Sequence, residues 1–288
     1  MLFSKNGNAR ELGFLNANTG NKCDCRENRN ARLARVYDGH PVQEPIPWQV
    51  SLQQLREYDG QSRWKHECGG SLISDRFVVT AKHCIGHADD KNDYRVIVGT
   101  VNKTEFNERN VYELQGFKFF NYLGTVENEH DIAILKIKDK DGGPVKCDQF
   151  IQPICLGAPR TELLTDCYVS GWGATSQTEA TDILQLAKIK QYTFDECAEI
   201  WNQGSRTRKF QGYMTCAGII GKNTGSSFGD SGGPLACIDP TDRVPYLSGV
   251  VSGGNGFHAT EPAIYANVLN YELWVHEMMK LWEDKVDT

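Results

Sequence analysis

Three short segments of this 288-residue chain carry side chains that together could break an amide bond. In FGDSGGPLAC, Ser231 sits among glycines, where small residues let the backbone turn tightly and aim N–H groups at a substrate oxygen. VVTAKHC brings His83 to the end of an apolar run, beside Cys84, and NEHDIAIL starts another at Asp131. A serine hydroxyl becomes a competent nucleophile when a histidine takes its proton. A buried carboxylate must then fix the imidazole tautomer and stabilise its cation. Taken singly, a serine in a glycine-rich turn, a histidine at a strand end and an aspartate at a strand start are ordinary structural features. Their combination in one chain points to acyl transfer, with Ser231 as nucleophile, His83 as base and Asp131 as orienting carboxylate.

Such a constellation needs a rigid scaffold. From Trp48 onward, β-favouring runs recur between Gly, Asp and Asn punctuation: WQVSL, RFVVTA, YRVIVG, DIAILKI, CYVSGW, YLSGVVSG and AIYANV. The pattern predicts an all-β barrel or sandwich. Residues 270–284 change to a helical period, with Trp274, Val275, Met278, Leu281 and Trp282 on one face and Asn270 as N-cap. This predicts one closing amphipathic helix whose apolar face packs on the core. Residues 1–35 are rich in Asn, Gly and Arg and poor in large apolar side chains, so they read as a leader that does not fold alone.

Composition narrows the function classes. A hydrophobic content of 40% supports a sizeable core, and no segment approaches the roughly 18 uninterrupted apolar residues of a membrane span. A net charge of -6, with both signs dispersed, offers no basic stripe for a phosphate backbone, which excludes a nucleic-acid partner. Ten widely spaced cysteines form an even set suited to an oxidising compartment. Only Cys23-Asp24-Cys25 and His83-Cys84 bring soft ligands close, and neither has the paired spacing of a zinc site. Glu105, Glu108 and Glu113 lack calcium-ligand spacing, so no metal or other cofactor is expected. Asn102-Lys103-Thr104 is an N-glycosylation acceptor triplet and agrees with secretion. The opening MLFSKNGNAR holds no signal-peptide apolar run, so secretion is inferred from the cysteines.

With these segments in view, the sequence resembles the chymotrypsin and trypsin family of serine proteases. Its T-A-x-H-C, D-I-A-x-L and G-D-S-G-G-P blocks occur here in that order, and the resemblance runs from about Arg35 to Trp282. It implies two packed antiparallel six-stranded β-barrels with a C-terminal helix and a cleft site between the barrels. The leader would occupy 1–35 and the protease domain 36–288, with barrels over about 36–158 and 159–270 and the helix over about 270–284. The oxyanion hole would be the N–H groups of Gly229 and Ser231. Arg35-Val36-Tyr37-Asp38-Gly39 matches the family's activation site, which implies cleavage after Arg35 by a trypsin-like protease and insertion of the new Val36 amino terminus beside Asp230. Ser51 and His66 match positions that hold this aspartate in the precursor. The resemblance also implies disulfides Cys68–Cys84, Cys167–Cys237 and Cys197–Cys216. Cys155 would hold the leader through Cys23 or Cys25, with the other leader cysteine left for Cys147.

Substrate-binding positions carried over in the same way are Gly225 at the pocket floor, Gly254 and Ala263 as walls, and Ser252. The floor lacks the aspartate of trypsin-like enzymes, so cleavage after apolar residues is expected. Ser227 and Phe257 stand where a pocket disulfide is usual, and Gly253 replaces a tryptophan lining the cleft. The implied function is that of a secreted serine endopeptidase made as a zymogen, with protein or peptide substrates and protein protease inhibitors as partners. The alternative is a catalytically weak homologue serving as a binding or regulatory module.

Overall fold

The computed structural model describes residues 23–26, 40–85, 90–121, 130–141, 143–157, 166–174, 180–203, 209–222, 224–254 and 261–283. The first barrel contains β2 (Gln49–Tyr58), β3 (Gln61–Leu72), β4 (Phe77–Thr80), β5 (Tyr94–Val98), β6 (Val111–Phe119) and β7 (Ala133–Ile137). It closes in the order β2-β3-β4-β7-β6-β5, with antiparallel pairing throughout. The second contains β8 (Cys167–Gly171), β9 (Gln185–Gln191), β10 (Met214–Gly218), β11 (Pro234–Ile238), β12 (Pro245–Gly253) and β13 (Ala263–Asn267). It runs β9-β10-β13-β12-β11-β8 and closes through a β8–β9 pairing. β1 (His40–Pro41) precedes the first barrel in sequence yet pairs with β9 of the second, His40 opposite Leu186.

The strands follow the pattern of apolar residues. FVVT of β4 and AILKI of β7 are buried at every position, as strands enclosed on both faces must be. β3 is largely exposed over its polar first half and buried over CGGSL, where it enters the space between the barrels. The core cluster joins both barrels through fully buried Trp48, Phe77, Tyr94, Trp172 and Tyr271. α2 (Glu272–Glu283) closes the chain: Val275 is fully buried, and Trp274, Met278 and Trp282 pack on the core. Two details differ from the sequence reading. Leu281 is 53% exposed, and Asn270 does not cap the helix, because it ends a one-turn 3-10 segment, Val268–Asn270, and α2 starts only at Glu272; its amide donates instead to the Gly212 carbonyl at 2.7 Å. A second helix, α1 (Phe194–Trp201), is held by a capping box in which Thr193 and Glu196 bond reciprocally.

All ten cysteines are paired. Cys68–Cys84 ties β3 to the turn carrying His83, Cys167–Cys237 bridges β8 and β11, and Cys197–Cys216 joins α1 to β10. The N-terminal segment is held twice, by Cys23–Cys147 and Cys25–Cys155.

Candidate active site

His83 lies on a one-turn 3-10 segment, Lys82–Cys84, immediately after β4, and Asp131 lies two residues before β7. Because β4 and β7 are neighbours, Thr80 opposite Ala133, the two side chains arrive at the same barrel end. His83 Nδ1 is 2.8 Å from Asp131 Oδ2, and the His83 amide donates to Asp131 Oδ1 at 3.0 Å. The imidazole is 43% exposed while the carboxylate is only 11% exposed. Burial pushes the Asp131 carboxyl up, but the hydrogen bond and charge of His83, the Ser252 hydroxyl and the His83 amide outweigh it. The carboxyl is held below its ordinary value.

Ser252 is the partner that the sequence did not reveal. Its hydroxyl donates to Asp131 Oδ2 at 2.6 Å. β12 pairs with β13 through Val251–Tyr265 and Gly253–Ile264, with a register shift between 251 and 253, so Ser252 is the extra residue of a β-bulge. Bulges re-aim single side chains, and this one aims a hydroxyl across to the first barrel.

The turn bearing Ser231 is braced by both barrels. The Ser231 carbonyl accepts from the Gly69 amide of β3 at 2.7 Å, and the Gly232 amide donates to the Val251 carbonyl of β12 at 2.8 Å. Residues 251 and 252 thus hold the serine turn by backbone and Asp131 by side chain. Gly229 adopts φ +96°, where a side chain is strained, and an added Cβ would lie 3.0 Å from Gly173 Cα. Among the described residues, the N–H groups of Gly229 and Ser231 have no acceptor.

Asp230, between them, is buried, and it accepts from the amides of Ser227 and Gly173, each at 2.8 Å. No Lys, Arg or His among the described residues lies within 4.0 Å of it. Burial raises its carboxyl to about 6, against the pull of those two amides and of Lys103. Ser51 and His66 do not hold this aspartate here. Ser51 Oγ is 2.8 Å from His66 Nδ1, and His66 Nε2 is 3.1 Å from the Gly229 carbonyl. A bulge at Glu67, opposite Leu52 and Gln53, turns His66 that way.

The one cluster of metal-capable atoms among the described residues is Cys68, His83 and Cys84. Both sulfurs are spent in a disulfide, so the set offers no thiolate ligand.

The trypsin family model matches residues 36–275. This chain belongs to the trypsin family of serine proteases. It is also 31% identical over 236 residues to coagulation factor XI of Bos taurus, covering 80% of this chain and 35% of that protein. The chain thus spans about a third of the length of the curated relative it matches.

The family's pocket positions are only partly described. Ala263 is buried, and an added Cβ on Gly254 would lie 3.6 Å from the Ala263 methyl, so these two positions adjoin. Gly225 faces open space. Tyr265, on the same face of β13 as Ala263, is fully buried. Arg35, Val36 and Phe257 lie outside the described residues.

Proposed function

We propose that this chain is the precursor of a secreted serine endopeptidase that cleaves after apolar residues through an acyl-enzyme. The observation that carries this reading is the line Ser252–Asp131–His83, together with two unsatisfied N–H groups flanking Asp230 on the serine turn. In the reaction, Ser231 Oγ attacks the scissile carbonyl carbon as His83 Nε2 takes its proton. Asp131, ionised at neutral pH, accepts from His83 Nδ1–H and stabilises the imidazolium. The carbonyl oxygen becomes an oxyanion facing the Gly229 and Ser231 N–H groups, each such donor contributing about 3 kcal/mol. Collapse expels the amine, which receives the proton from His83. Water, deprotonated by His83, then attacks the acyl-enzyme, and the proton returns to Ser231.

Activation by a trypsin-like protease after Arg35 supplies the cation that Asp230 lacks. The buried carboxylate already accepts two amides, and the Val36 ammonium is the missing counter-charge. For specificity, Gly225, Gly254 and Ala263 offer no carboxylate, so an entering Lys or Arg side chain would be buried unpaired, at a cost of several kcal/mol. Five disulfides support an extracellular location, where protein protease inhibitors are the natural antagonists.

The test is a peptide library digested by the chain cut after Arg35. Cleavage after Phe or Leu, lost in Ser231→Ala, is expected. Dominant cleavage after Arg would overturn the pocket reading. A folded, correctly cut protein with no peptidase activity would favour a binding module.

A further inference from the structure

A groove of about 630 Å³ opens at Phe228 and Gly229 and runs across β2, β3 and β5 to Phe106. Its cations outweigh the carboxylates available to them. Glu67 is engaged by Arg56 at 2.8 Å, and Lys103 donates to the Thr181 carbonyl at 2.6 Å with Asp182 3.7 Å away. Lys65 and Arg95 have no carboxylate within 4.0 Å among the described residues.

Arg95 is built as a receptor. Its guanidinium lies 4.6 Å from the Trp64 ring centroid and 5.4 Å from that of Phe106. Nε and Nη2 both donate to Gln53 Oε1, at 2.9 and 2.7 Å. Of the five N–H groups of a guanidinium, three therefore have no acceptor among the described residues. Burial disfavours the charge, and only the more distant Glu108 opposes this effect. A planar cation fixed by two rings and one amide, with free donors, fits a carboxylate with little ordering cost.

The position of the groove says which carboxylate. Phe228 and Gly229 line the end of the groove nearest the serine turn. A substrate whose acyl half paired along Ser252–Gly254 and whose carbonyl met the Gly229 amide would therefore enter the groove with its leaving-group half. We propose that Arg95, assisted by Lys65, binds an acidic side chain on the leaving-group side of the scissile bond, so that the enzyme selects substrates acidic there. This inference rests on Ser231 being the nucleophile.

The experiment compares matched peptides that share one acyl half and carry Glu or Gln at successive leaving-side positions. The readout is the Glu/Gln ratio of kcat/KM, which cancels general losses of activity in a variant. For the cut enzyme a ratio of about tenfold is expected at one position, falling with added salt. Arg95→Gln should bring it to about one and Lys65→Gln should lower it. A ratio of one at every position in the unmodified enzyme overturns the proposal, as does a ratio unchanged by Arg95→Gln. If Ser231 proves inert, fluorescence anisotropy of labelled leaving-side peptides on Ser231→Ala protein decides the matter. Tighter binding of the Glu peptide, lost on Arg95→Gln, supports the groove, and equal binding of the Glu and Gln peptides overturns it independently of catalysis.

Discussion

Replacing Gly173 with alanine should damage the serine turn from a distance. The Gly173 amide donates to Asp230 Oδ1 at 2.8 Å, and a Cβ at this position would lie 2.5 Å from Asp230 Cγ and 2.6 Å from Oδ1. No atom pair can stay that close, and the obstacle is a buried carboxylate held by two amides, not the tip of a free chain. Overpacking of this kind costs about 1–3 kcal/mol, and weakening a hydrogen bond to a buried charge costs a further 1.5–3 kcal/mol. A total near 3–5 kcal/mol corresponds to a fall in Tm of roughly 6–20 °C for a chain of this size. The assay is thermal and urea unfolding of Gly173→Ala beside Gly212→Ala, where an added Cβ meets nothing within 4 Å. Gly212→Ala should change stability by less than about 0.5 kcal/mol. A loss below about 1 kcal/mol in Gly173→Ala would refute the view that Asp230 is rigidly packed under the turn.

Ser252→Ala removes the 2.6 Å hydrogen bond to Asp131, so kcat/KM should fall about 10- to 100-fold, mainly in kcat, and unchanged kinetics would contradict the role assigned to the bulge. Burial holds His66 near 4, against an ordinary value of 6.5. A lowered histidine stabilises the fold fully above pH 6.5 and loses that contribution as pH falls toward 4. In urea unfolding of the uncut chain, the stability advantage of wild type over His66→Gln should therefore shrink by up to about 3 kcal/mol between pH 6.5 and 4. Asp230, raised to about 6, pulls the other way over the same window, so the difference between wild type and His66→Gln, and not the wild-type curve alone, is the readout. A pH-independent difference would contradict the buried setting of His66. After cleavage at Arg35 the leader should migrate with the protease until disulfides are reduced, and Cys23→Ser with Cys25→Ser should free it without reductant. Release from the unmodified protein without reduction would contradict both tethers.

Much of the barrel framework was legible because strands such as AILKI and FVVT are buried on both faces and leave nearly unbroken apolar runs. β3 was not, since QSRWKHE is polar where the strand projects into solvent and only CGGSL enters the interior. α1 carried a readable signal in Thr193 and Glu196, a capping pair over a helix of only eight residues. Its short length hid the apolar period. His83 and Asp131 announce themselves because each ends or begins a buried run. The contact between Ser252 and Asp131 depends instead on a register shift between β12 and β13, which no local pattern encodes. The same holds for the N-terminal cysteines. Cys23 and Cys25 are two residues apart, and the choice between Cys147 and Cys155 is set by tertiary placement and not by spacing.

The most direct test of the whole account is labelling by a fluorophosphonate probe, read by mass spectrometry of the Ser231 peptide, before and after cleavage at Arg35. The account predicts covalent labelling at Ser231 that rises sharply on cleavage and vanishes in Ser231→Ala and in Asp230→Ala. Folded, correctly cleaved protein that takes up no probe at Ser231 would contradict it.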